Sequence, residues 1–155
     1  MKNYPLFLLL MAILLISITG CGKVTPTYSP EELSNSLVIT YYEGPEIQID
    51  GHIQALLRNT SKYCIVFPID LGIKLYMVKK GNITEINNYT AYVGDHKRYL
   101  NPKGDLNDFI SVSFDPDVSR KTVTDSLKFY AEITGHLCDD DSVVVKKKIP
   151  FIVTP

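Results

Sequence analysis

The stretch "LKFYAEIT", residues 127–134, decides the fold. Leu127, Phe129, Ala131 and Ile133 alternate with Lys128, Tyr130, Glu132 and Thr134, and side chains that change face at every residue belong to a strand with one side buried and the other wet. The same period of two runs through Ile110, Val112 and Phe114 against Ser111, Ser113 and Asp115, and through Ile69, Leu71, Ile73, Leu75 and Met77 against Asp70, Lys74 and Tyr76. It also covers Ile47, Ile49, Gly51, Ile53, Ala55 and Leu57 against Gln48, Asp50, His52, Gln54, Leu56 and Arg58. No window of similar length carries apolar residues at helical spacing, apart from one possible turn at Pro30 to Leu33.

Turn-forming residues separate these runs at Asn59-Thr60-Ser61, Lys80-Gly81-Asn82, Asn101 to Asp105, Asp115-Pro116-Asp117 and Cys138 to Ser142. The predicted strands are 37–42, 47–58, 64–67, 71–79, 83–87, 109–115, 126–137 and 143–153, and residues 88–108 have no clear period. Short strands with a turn every eight to fifteen residues or so predict an all-β, antiparallel sandwich. The last run, "VVVKKKIPFIV" (143–153), breaks phase at Lys146 to Lys148. A bulge or an edge position would resolve this, with the lysines and Pro150 guarding an open edge against aggregation.

The amino-terminal region has a different grammar. Lys2 precedes an unbroken apolar run from Leu6 to Ile16, the layout of a secretory signal peptide. The run gives out at Ser17, Thr19 and Gly20, short of the roughly 20 residues a membrane span requires. Within "LLISITGCGK" (14–23), the tetrad Ile18-Thr19-Gly20-Cys21 resembles the lipobox of bacterial lipoproteins. The resemblance implies cleavage after residue 20, a diacylglycerol thioether at Cys21 and an acylated new amino terminus, which together hold a protein stably on a membrane. Residues 1–20 are thus predicted as signal peptide, 21–35 as lipidated cysteine and flexible tether, and 36–155 as the sandwich domain. Gly22 in place of Asp implies the outer membrane as host in a double-membraned cell.

The full chain has 16 basic and 17 acidic side chains. Cleavage removes only Lys2 of these, leaving 15 against 17 and a formal charge of −2. A near-neutral exported domain lacks the clustered positive field of a nucleic-acid binder. With Cys21 given to lipid, Cys64 and Cys138 remain: an even pair in a disulfide-permitting compartment, or two separate buried thiols.

"IQALLRNTSKYCIVFP" (53–68), "LNPKGD" (100–105) and "FISVSFDPD" (109–117) resemble the immunoglobulin-like accessory domains of bacterial envelope lipoproteins. The likeness consists of turn and core residues, so it implies an immunoglobulin-like β-sandwich and no catalytic residue. In that arrangement the loop before the third strand and the loop after the sixth share one end, where Cys64 and Cys138 can meet.

No Gly-rich phosphate loop, G-x-S-x-G, H-E-x-x-H or C-x-x-C occurs. His52 and His136 fall on strands expected in opposite sheets, and His96 lies in the unassigned stretch, so no shared metal or catalytic site is expected and no cofactor is called for. Asp139-Asp140-Asp141 lacks the spacing of a calcium loop and reads as a solvated hairpin tip. The sequons at Asn59, Asn82 and Asn88 read as turn chemistry.

Ten tyrosines accompany no tryptophan. Tyr41 and Tyr42 lie outside the clean core positions, as do Tyr89, Tyr92 and Tyr99, the three that fall in the stretch without a strand face. Because tyrosine joins apolar area to a polar handle, the last three are the candidate partner-binding residues. The expected function is a lipid-anchored, non-enzymatic module binding another protein of the cell envelope. The alternatives are a secretion-apparatus or immunity-type lipoprotein, and an enzyme with an unrecognised site.

Overall fold

A computed structural model describes residues 28–68, 72–93, 99–103, 110–118 and 123–155. The signal peptide, Cys21 and His96 lie outside the described residues.

Structure begins earlier than the predicted tether allows. Ser29 Oγ accepts from the Glu32 amide (3.1 Å) and Glu32 Oε2 accepts from the Ser29 amide (2.8 Å), a capping box that starts helix α1, Pro30–Ser36, with proline in its first turn. A helix of 7 residues is too short to persist in water alone. It is held because Leu33 and Leu37 enter the core and Ser34 Oγ donates to the Lys146 carbonyl. The predicted tether thus gives way to packed chain at Tyr28, which already lies against the core.

Among the described residues eleven strands follow: β1 Leu37–Tyr41, β2 Glu46–Gln48, β3 Ile53–Asn59, β4 Ile65–Val66, β5 Lys74–Lys79, β6 Asn82–Ile86, β7 Tyr89–Val93, β8 Tyr99–Leu100, β9 Ile110–Pro116, β10 Leu127–Leu137 and β11 Val144–Thr154. Among the described residues they form two sheets. One has the order β1-β3-β9-β7, and the other runs β2-β11-β10, with the far side of β10 shared by β4, which continues to β8, and β5, which continues to β6. All pairs are antiparallel except β2 with β11. Four strands facing a second sheet in this connectivity make an immunoglobulin-like β-sandwich.

The sequence-predicted strand 47–58 is two strands in different sheets. At Asp50 (φ 71°) the backbone turns left-handed, and the Gly51 amide bonds back to the Gln48 carbonyl (2.9 Å). A Cβ at Gly51 would stand 2.8 Å from that carbonyl oxygen, so only glycine closes this turn without a shift. The stretch from 88 onward also contains strands, β7 and β8, on different sheets.

β10 buries Leu127, Phe129, Ala131, Ile133 and Leu137 against Leu33, Leu57, Phe67, Ile149 and Phe151. Phe129 and Phe151 stack with centroids 5.4 Å apart, and each buried aromatic ring contributes about 1.5–3 kcal/mol. At Gly135 the inward series lacks a side chain because Phe67 fills the space, its Cδ1 lying 2.7 Å from where a Cβ would be.

β11 needs no bulge. Its register with β10 is unbroken from Val144 to Val153, and Lys147 takes the inward phase between Val145 and Ile149. The lysine stem lies along the sandwich while its ammonium reaches the Ser34 carbonyl in the last turn of α1 (3.0 Å). Nor is β11 a bare edge, since α1 covers one part of its outer side and β2 pairs with Ile152 to Thr154.

Candidate functional site

The three candidate tyrosines do not form one patch. Tyr89 starts β7, is half-buried against the core and donates its hydroxyl to the Ile73 carbonyl (2.8 Å). Tyr92 stands on the same strand opposite Ser113 of β9, and its side chain lies outside what is described. Tyr99 is on β8 in the other sheet, opposite Val66, with 54 % of its surface exposed. β8 ends its sheet on that side among the described residues. Of the other pair, Tyr41 packs on the core and bonds the Pro150 carbonyl, whereas Tyr42 is exposed.

At the end of the sandwich where β10 starts, a solvent-open hollow of about 430 Å³ is lined by Asp50, Asn88, Tyr89, Thr90, Asp115 and Asp117. Three turns supply it, tied by the Asp117 amide to the Asn88 carbonyl (3.1 Å). Sequence reading missed it because its acids come from segments far apart in the chain.

A second groove, about 590 Å³, runs between α1 and β11 and is bordered by Glu31, Glu132 and Lys146 to Lys148. Its cations are engaged within the domain. Lys146 pairs with Glu132 (3.1 Å) and Lys147 bonds the helix carbonyl. The Lys148 ammonium sits 4.6 Å from the Tyr130 ring centroid, and Tyr130 in turn stacks on Tyr76 at 4.8 Å. Burial lowers the pKa of Lys147, since a desolvated ammonium is disfavoured.

Cys64 and Cys138 form a disulfide at the opposite end, Cα to Cα 5.4 Å. Rather than joining two sheets, it links neighbouring strands of one sheet, at the rung beyond Leu137 and Ile65. In the adjacent hairpin Asp140 Oδ1 accepts from the Ser142 amide (3.1 Å) and hydroxyl (2.6 Å), so this carboxylate works inside the turn. Tyr28 meets Tyr63 edge-on at 4.6 Å, and Lys62 lies over the Tyr63 ring. His52 lies just before β3 of one sheet and contacts Gln54, while His136 lies on β10 of the other sheet against the Leu137 carbonyl. Among the described residues no group of three or more His, Cys, Asp or Glu converges on a metal position.

Asn59, a sequon asparagine, is 2 % exposed. Its Nδ2 donates to the carbonyls of Tyr63 (2.6 Å), Leu100 (3.0 Å) and Asn101 (3.3 Å), and its Oδ1 accepts from the Ser61 amide and hydroxyl. One side chain thus ties the end of β3 to β8 and to the approach to Cys64. The Asn-Thr-Ser turn was the only sequence signal of it.

No protein-family model matches the chain, and no curated protein does. Solved structures similar to it include the ASH/PapD-like domain of human CEP192, at 12 % identity and TM-score 0.40 over 83 % of this chain and 87 % of that one. Others are the CsuC–CsuE chaperone–tip adhesion subunit complex of Acinetobacter baumannii (12 %, TM-score 0.46, 76 % of this chain and 51 % of that one) and the periplasmic chaperone SfaE (6 %, TM-score 0.45, 76 % and 57 %). The chain spans about half the length of these last two. Fold assignment rests on the strand order, not on these likenesses.

Proposed function

We propose that the protein is a lipid-anchored, extracytoplasmic immunoglobulin-like module that binds another protein of the cell envelope and catalyses nothing. The observation that carries this reading is the Cys64–Cys138 disulfide. It is the bond an oxidising compartment permits, and it leaves Cys21 as the one thiol available for lipid. Of the two candidates whose side chains are described, Tyr89 is half-buried and Tyr99 is exposed, on a strand that ends its sheet among the described residues, so Tyr99 offers a side chain to a partner.

The test has two parts. Cys21→Ala should leave the precursor without acyl chains and shift it out of the membrane fraction; a variant that is still acylated ends the anchor reading. Photo-crosslinking from position 99 in intact cells, followed by isolation from detergent-solubilised envelope, should give one discrete protein adduct. Absence of any adduct from that position, with the protein correctly anchored, argues against the β8 edge as the contact.

A further inference from the structure

We infer that the disulfide end of the sandwich faces the lipid headgroups and the opposite end is held away from them. This rests on the anchor reading, and what it adds comes from where the packed chain begins. Tyr28 is fixed at the disulfide end: its ring meets Tyr63, the neighbour of Cys64, and desolvation followed by the charge of Asp140 in the β10–β11 hairpin raises its pKa. The chain then runs through α1 beside Lys146 and Lys147 and enters β1 opposite Asn59, all in the same half of the domain.

Only residues 22–27 separate Cys21 from Tyr28. At roughly 3.3–3.6 Å per residue, that connection extends to at most about 25 Å. β10 has 11 residues, and at about 3.3 Å each it spans about 36 Å from the far end to Cys138. An inverted domain would drive its far end about 10 Å below the headgroup plane by the same two lengths. Upright and moderately tilted poses leave the connection slack, whereas a pose that brings the hollow lined by Asp50, Asp115 and Asp117 lower than Tyr63 and Cys64 lifts Tyr28 off the headgroups and stretches the connection against its own entropy, so on balance the hollow stands farther from the bilayer. Charge does not set this orientation, because Lys62 and Lys103 share the near end with Asp139, Asp140 and Asp141. The short connection does.

Two exposed turn aspartates, Asp141 near and Asp125 far, make matched reporters. Each is replaced by a clickable azidophenylalanine in the full lipidated chain, coupled to a fluorophore and reconstituted in phosphatidylcholine vesicles containing a headgroup-attached quencher. The probe at Asp141 should lose most of its emission and the probe at Asp125 little. Equal loss, or greater loss at Asp125, in protein whose mass shows diacylglycerol on Cys21, overturns the orientation and leaves the anchor standing. Protein without lipid that stays off the vesicles overturns the anchor and the inference together. A long Gly-Ser insertion between Gly22 and Lys23 should erase the difference between the probes. A difference that survives it shows that the tether is not the cause.

Discussion

The amide of Cys138 donates to the carbonyl of Cys64 (3.0 Å), so the disulfide joins two residues already facing each other across the ladder between β4 and β10. The crosslink spans 74 residues of sequence. In the chain-entropy account, closing a loop of that size stabilises by roughly 4–5 kcal/mol. Because the β4–β10 pairing is only two residues long, reduction should also loosen β4 and β8 first. Urea denaturation with and without reductant should show a lower midpoint, and hydrogen exchange should speed up at Ile65 and Leu100 before β10. An unchanged midpoint would contradict the crosslink's role.

Asn59→Ala removes the partner of three carbonyls and of Ser61 in a buried site. Each stranded polar group costs about 1–3 kcal/mol, so a loss of about 3 kcal/mol or more in denaturant unfolding is expected. Asn59→Asp should be no better, since a carboxylate cannot donate to the carbonyls of Tyr63 and Leu100.

Gly135→Ala places a methyl where Phe67 Cδ1 and the Val66 carbonyl oxygen already stand, both 2.7 Å from the new atom. Overpacking of this kind costs about 1–3 kcal/mol. The double variant Gly135→Ala with Phe67→Leu should recover part of the loss, and a purely additive double variant would contradict the packing account.

Burial raises the pKa of Tyr41, and desolvation also raises those of Tyr28 and Tyr76. The folded state holds these protons more tightly than the unfolded chain, so the stability they confer is intact below pH 10 and is lost as pH rises from there through the folded values. Lys147, with its pKa lowered, acts oppositely and adds stability as pH climbs toward its ordinary value. Tyr41→Phe should cost about 1 kcal/mol at neutral pH through the lost bond to Pro150, and it should flatten the alkaline decline. Denaturation midpoints at neutral pH and above pH 10, with tyrosinate absorbance followed in parallel, measure both effects.

Tyr89 and Tyr99 should separate cleanly. Tyr89→Phe gives up the bond to Ile73 and should lower stability by about 1 kcal/mol. Tyr99→Ala, exposed on β8, should move it by no more than about 0.5 kcal/mol while reducing capture of the envelope partner. The reverse pattern would place Tyr99 in the core and Tyr89 at the interface.

Sequence alone determined what depends on nearest neighbours along the chain. The alternation from Leu127 to Thr134 specified which side chains of β10 are buried, and the turn residues around it specified an antiparallel all-β domain. The two cysteines flanking strands matched the rung they close. The capping pair Ser29 and Glu32 fell inside the predicted tether, where the sequence suggested no more than a turn at Pro30 to Leu33, because a helix of 7 residues forms only when β11 and the core receive Leu33 and Ser34.

Tertiary structure alone decided the rest, for a physical reason. Alternation records that side chains change sides, and it continues unaltered when Asp50 and Gly51 carry the chain from one sheet to the other, so 47–58 looks like one strand. A lysine at an inward position looks like a phase error until a helix carbonyl is there to receive the Lys147 ammonium. The tyrosines of 89–99 look like one loop until β7 pairs with β9, and β8 with β4, on different sheets. Each of these outcomes is fixed by partners tens of residues away, and pairing at that distance leaves no mark in the local pattern of either segment.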